Sequence, residues 1–153
     1  MNMITKQAIF QIGDEVYGLN IMDVSTVEKH ITTEKAANAP KNVKGIIHLR
    51  GEVIPVYSLR SKFGLEEREP DQDTRLITTN SNGMTIAYEV DKMLGIINLE
   101  QEQLNEVPPI LMSKNTTYVK QITNLEGKLI ILLDHDGILC EEEQDDIKKI
   151  NKK

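Results

Sequence analysis

Apolar residues in this chain come in short runs, many of them β-branched, broken by glycine, proline and asparagine. That pattern predicts strands rather than helices. Runs at Gln7–Ile12, Val16–Leu19 and Val24–His30 are followed by Ile46–Leu49 and Val53–Leu59, then by Arg75–Thr79 and a long run from Met84 to Ile97 that Lys92 interrupts. Tyr118–Leu125 and Lys128–Asp134 complete a set of about nine strands. Turns are marked by Gly13-Asp14, Arg50-Gly51 and Asn80-Ser81-Asn82-Gly83. LIILL within the last run is apolar at every position, which predicts a strand buried between two layers.

One hairpin pattern occurs twice. VKGIIHLRGEVIPVYS (Val43 to Ser58) lies over VKQITNLEGKLIILLD (Val119 to Asp134) without a gap and with six identical positions. Leu49 falls on Leu125, Gly51 on Gly127 and Ile54 on Ile130. A weaker match sets Gly18, Leu19, Ile21 and Val24 against Ala87, Tyr88, Val90 and Met93, so the repeat extends over most of each half. The expected fold is all-β: two similar small barrels, with a helix near 137–150 packed alongside. Ile138, Leu139, Ile147 and Ile150 fall on one face of that helix.

Between these units lie a polar connection from Thr32 to Ala39-Pro40, a charged stretch LEEREPDQD that reads as a surface link, and a polar connector Leu99–Val107, compatible with helix and stopped by Pro108-Pro109. At 153 residues, 39% hydrophobic and 27% charged, the chain is one domain able to bury a core. Its net charge of −6 argues against a nucleic-acid partner. The single Cys140, beside Glu141 to Glu143, forms no internal disulfide and is expected to be inert and buried, which fits a reducing compartment. The first residues lack the apolar core of a secretory signal, and no apolar run approaches the ~20 residues needed to span a bilayer, so a cytoplasmic location is expected.

His30, His48 and His135 are scattered, so no zinc spacing occurs. Asp134-His135-Asp136-Gly137 is similar to the opening of a calcium loop but lacks the third acidic position and the closing glutamate, and reads as a strand-to-helix turn. Phosphate-binding glycine loops and a nucleophile elbow are missing too. A protein that works by binding, without cofactor or metal, is therefore expected. Arg50 has Glu126 as its repeat counterpart, so the turn closes with either charge and does not itself require arginine. A rival class is a small β-barrel binding an oligonucleotide or small ligand, because SH3-like and OB barrels share a strand pattern. It would want a basic groove with stacking aromatics, whereas this acidic chain holds four Tyr and two Phe.

NAPKNVKGIIHLRGEVIPVYSLRSKFGL (Asn38 to Leu65) closely resembles the signature of the CheW family of chemotaxis coupling proteins. AYEVDKML and LEGKLIILLDHDGIL resemble that family's later motifs, so the likeness covers nearly the whole chain. The resemblance implies one CheW-like domain over residues 1–153, built of two intertwined five-stranded SH3-like barrels. Their expected bounds are 14–72 for the first lobe, and 73–140 with an N-terminal strand at 5–12 for the second. It further implies an adaptor without enzymatic activity. Its partners would be the regulatory domain of the histidine kinase CheA and the cytoplasmic tips of methyl-accepting chemoreceptors, with no membrane insertion of its own. Carried over by position, a receptor groove would involve Val24, Arg50, Gly51, Thr85 and Ile86. Thr26 stands where the family often has an acid able to pair with the turn arginine, which leaves Glu28 as a partner for Arg50. His48 and Ala87 also depart from the usual Asn and Gly.

Overall fold

The computed structural model describes residues 4–35, 39–81, 83–107, 118–139 and 141–151. The expectations placed on Pro108, Pro109 and Cys140, and on the side chain of Ile150, lie outside what it describes. Among the described residues ten strands form two five-stranded sheets. They are β1 (Ile4–Ile12), β2 (Glu15–Asn20), β3 (Val24–Lys29), β4 (Val43–Leu49), β5 (Glu52–Ser58), β6 (Arg75–Ser81), β7 (Met84–Val90), β8 (Lys92–Glu100), β9 (Val119–Leu125) and β10 (Lys128–Leu133). A single helical turn α1 (Leu59–Lys62) follows β5, and α2 (Glu141–Asn151) is the terminal helix. Among the described residues no helix is long and apolar enough to cross a membrane.

One sheet runs β3-β6-β7-β5-β4 and the other β8-β1-β2-β10-β9. In each, two hairpins meet through a parallel central pair: β5 beside β7, with Val56 opposite Ala87, and β10 beside β2, with Leu132 opposite Gly18. These two pairs are the same pair in the sequence repeat, so the weak match of Gly18 with Ala87 marks a true structural equivalence.

The lobe bounds expected from sequence do not coincide with the sheets. The first barrel is the continuous segment 24–90, and the second is built from 4–20 together with 92–133. Strand β2 therefore belongs to the second barrel, and β6 and β7 to the first. The repeat identifies equivalent hairpins but not the sheet each one joins, and here each half gives its opening hairpin to the other. The chain changes barrel at two short links: a single 3-10 turn at Ile21–Asp23, and Asp91 alone between β7 and β8. The run from Met84 to Ile97 is thus two strands in different sheets, not one. Asp91 makes the break, accepting hydrogen bonds from Gly13 N at 2.8 Å and from the Arg60 guanidinium at 2.5 Å. Leu99 is still part of β8, and among the described residues that follow it before β9 a single 3-10 turn, Gln101–Gln103, is formed.

The two edges of each sheet are joined by matching bridges. Glu34, beyond β3, exchanges two backbone hydrogen bonds of 2.8 Å with Ile46 of β4. Asn105, beyond β8, does the same with Ile122 of β9 at 2.8 and 2.9 Å. Ile46 and Ile122 are repeat equivalents. Gly45 sits at the first seam because a Cβ there would lie 2.1 Å from the Glu34 carbonyl oxygen.

Among the described residues three apolar clusters result. Ile47, Ile54, Val56, Leu76 and Ala87 fill the first barrel, and Ile9, Val16, Leu99, Ile130 and Leu132 fill the second. The largest cluster lies between the barrels and includes Phe10, Tyr17, Tyr57, Ile86, Tyr88 and Leu133. Strands such as β1 and β10 are apolar on both sides because one face lines a barrel and the other lines this seam. The helix begins at Glu141, later than the sequence suggests, so Ile138 and Leu139 lie in the turn before it; with Ile147 of the helix they seal the seam, all three buried. The Glu143 carboxylate, also buried, accepts from Tyr57 Oη at 2.6 Å, Asn42 Nδ2 at 3.1 Å and Lys62 Nζ at 3.0 Å. A buried carboxylate is tolerable when charge and donors compensate its lost hydration in this way.

Candidate docking surface at the first hairpin tip

The β4–β5 hairpin closes in two residues, Leu49 facing Glu52. Arg50 has φ +49° and Gly51 φ +82°, and the equivalent tip repeats this with Glu126 at +52° and Gly127 at +82°. Positive φ at both central residues gives the strand twist such a turn requires. For a residue with a Cβ it costs roughly 1 kcal/mol. Both barrels therefore hold a charged, non-glycine side chain in left-handed backbone at the tip, of opposite sign in the two.

Arg50 is two-thirds exposed, with 66% of its side chain accessible. Its guanidinium forks onto Glu28 of β3, Nη1 to Oε2 at 3.2 Å and Nη2 to Oε1 at 3.5 Å. The pair spans the seam between the two edge strands of the first barrel. A hydrogen bond from Thr26, and then Arg50 itself, holds the Glu28 carboxyl below its usual range. Thr26 is fixed in turn by Thr78, whose Oγ1 lies 3.0 Å from its amide and 2.6 Å from its hydroxyl.

Because β5 runs parallel to β7, the tip and the start of β7 lie at one end of the first barrel. Thr85 is half-buried there and accepts from Asn80 Nδ2 at 3.3 Å. Val24 pairs with Thr79, which pairs with Ile86, so these three stand side by side across β3, β6 and β7. Val24 is half-buried against the central cluster and Gly51 is exposed. Ile86 differs from the sequence expectation: its side chain is wholly buried in the seam between the barrels, so it has no surface to offer a partner. Its apolar character reads equally well as groove or as core in the sequence, and the strand's phase relative to the seam decides for core.

Other arrangements were not readable from sequence. The charged stretch after Gly64 folds back on the first barrel instead of standing free. Ser58 Oγ donates to Glu67, and Lys44 Nζ lies 3.3 Å from Glu67 and 2.8 Å from the buried Glu89. Burial alone would lower the Lys44 ammonium, but Glu89 and Glu67 outweigh it and raise it. Lys44, Ser58 and Glu67 border a cavity of about 700 Å3 that His30, Lys35 and Arg68 also line. In the turn after β10, His135 has Nδ1 3.2 Å from Asp23 and Nε2 3.3 Å from Asp136.

Residues 7–143 match the CheW-like domain family. Over 135 residues the chain is 30% identical to the chemotaxis protein CheW of Klebsiella aerogenes, covering 88% of this chain and 81% of that one. With the chemotaxis protein CheW of Helicobacter pylori it shares 32% over 130 residues, 85% of this chain and 78% of that one. The crystal structure of the scaffolding protein TtCheW from Thermoanaerobacter tengcongensis superimposes with a TM-score of 0.79 at 32% identity, covering 86% of this chain and 90% of that one.

Proposed function

This chain belongs to the CheW-like domain family, and from that premise we propose that it is a non-enzymatic chemotaxis adaptor coupling methyl-accepting chemoreceptors to the histidine kinase CheA. It acts in the cytoplasm, recruited to membrane-associated receptor arrays, and supports their assembly. The whole chain, residues 1–153, serves as one coupling domain. The observation that carries the reading is the first hairpin tip. There a largely exposed guanidinium stands on a turn whose repeat equivalent closes with glutamate, and turn geometry therefore does not account for it. Beside it, Val24 offers part of an apolar surface and Thr85 a hydroxyl, a combination suited to a helical partner docking with apolar anchors and a polar rim. Val24, Arg50, Gly51 and Thr85 would line the receptor site. Glu28 would hold the guanidinium fork in place until a receptor carboxylate competes for it.

Reversing the charge tests this directly. Arg50→Glu is expected to fold normally, because the same position of the second barrel already carries glutamate in the same backbone conformation. Receptor binding should weaken by about tenfold or more, most of it at low salt, as for a charge at the rim of an interface. Co-sedimentation of the variant with receptor and kinase at the wild-type level would reject this assignment of the site.

A further inference from the structure

Glu67 marks an anion position at the base of the β4–β5 hairpin. Its carboxylate accepts from Ser58 Oγ and lies 3.3 Å from Lys44 Nζ. Both donors are held from the barrel side. Ser58 is 2% exposed and its oxygen accepts from Ser61 N at 3.1 Å, which leaves its proton for the acid. The Lys44 ammonium is gripped by the buried Glu89 at 2.8 Å, so it does not follow Glu67 if that acid leaves. Glu67 itself is loosely placed. Its side chain is 46% exposed, residues 65–69 around it are all exposed, and an ion pair so open to water is weak. The donors are therefore built into the barrel, whereas their acceptor is replaceable. A buried hydroxyl and an ammonium fixed side by side still require an anion there.

Beside this position the cavity of about 700 Å3 falls within the range of small-molecule pockets. Val43 and Pro70 supply apolar wall, and Lys35 and Arg68 bring two more cations. Lys35 makes no ion pair among the described residues. Arg68 lies 3.3 Å from Asp71, in a pair about half exposed on both sides, and Glu69 is a further acid on the wall. We propose that this cavity binds a small organic acid with two or more carboxylates. One carboxylate takes the place of Glu67 on Ser58 and Lys44, and another meets Lys35 and Arg68. The class is carboxylate, not phosphate, because a carboxylate already fits between the two donors. Glu67 swings to solvent when the acid enters. Lys44 lies six positions before Arg50 in the same hairpin, about 20 Å along the strand, so the acid leaves the docking tip uncovered.

The full chain would be titrated at fixed ionic strength with citrate, succinate and phosphate, following backbone amide resonances by NMR. Citrate or succinate should bind saturably with Kd below about 1 mM, moving the Lys44 and Ser58 amides. Glu67→Ala removes the competing carboxylate, and affinity should rise about two- to sixfold, the inverse of the fraction of time the site stands free. Lys35→Ala and Arg68→Ala should each weaken binding about two- to fivefold. Lys44→Met should abolish it but leaves Glu89 buried without its cation, so the two exposed variants keep the test alive if that protein does not fold. Any of three results would overturn the proposal: no saturable binding of either acid up to about 20 mM, or phosphate bound as tightly as both; affinity unchanged or lower in Glu67→Ala; or affinity unchanged in both Lys35→Ala and Arg68→Ala.

Discussion

Replacing Gly45 by alanine places the smallest possible perturbation on the seam that closes the first barrel. The added Cβ would meet the Glu34 carbonyl oxygen at 2.1 Å and its carbon at 2.9 Å, so the strand beyond β3 must move off β4. Both contacts are backbone, and no side chain can rotate away to make room. Moving it breaks the Glu34–Ile46 bridge, two hydrogen bonds of 2.8 Å. At about 1 kcal/mol for each bond, and more for groups left buried and unpaired, the loss is about 2–4 kcal/mol. For a chain of this length that lowers Tm by about 5–15 °C. The second barrel supplies the control, because Gln121 is the repeat equivalent of Gly45 and already carries a side chain. Gln121→Ala should stay within about 0.5 kcal/mol of wild type. Urea denaturation followed by circular dichroism measures both variants, and hydrogen exchange at the Glu34 and Ile46 amides localises the effect. A Gly45→Ala variant as stable as wild type, with both amides still protected, would refute the view that this bridge closes the barrel.

Two further outcomes follow from the cores. Ile54→Asp places a carboxylate inside the first barrel at a position 3% exposed, which should cost several kcal/mol against a total stability of about 5–15 kcal/mol. A folded far-ultraviolet spectrum at 25 °C would contradict that packing. Burial raises the phenols of Tyr17, Tyr57 and Tyr88, with Glu15 reinforcing the first and Glu143 the second. A phenol kept neutral by the fold adds stability below its unfolded pKa of about 10, and that stability is lost as pH rises beyond it. Spectrophotometric titration should thus show these three ionising together with alkaline unfolding, and a smooth titration near pH 10 in the folded protein would contradict it.

The hairpin repeat carried much of the architecture in plain view. Arg50-Gly51 and Glu126-Gly127 close identical turns, and even the faint match of Gly18 with Ala87 falls on equivalent parallel pairs. Long-range exchange was hidden, because local apolar patterning does not say which sheet a hairpin enters. Asp91 illustrates the limit: within VDKM it looks like an ordinary polar interruption, and only its bonds to Gly13 and Arg60 make it the point where the chain changes barrel. The tip of the docking surface was readable as far as Arg50 and Gly51. Ile86 was misplaced, because a groove residue and a seam residue have the same apolar signature on a strand buried on both faces. Glu28 stood out as a partner only because Thr26 vacated the nearer position, and the distance across the seam needed the folded barrel to measure it.

The nesting of one barrel within the other has a consequence during synthesis. Residues 24–90 hold every strand of their own sheet and can pair as soon as they leave the ribosome. The N-terminal hairpin must instead wait, both edges bare, until β8 and β10 emerge far downstream. Contacts so distant in sequence form slowly, and a bare hairpin edge is a template for unwanted strands. Nascent chains stalled just past Val90 should therefore recruit chaperones at Ile4–Asn20, while the later-made middle of the protein is already folded.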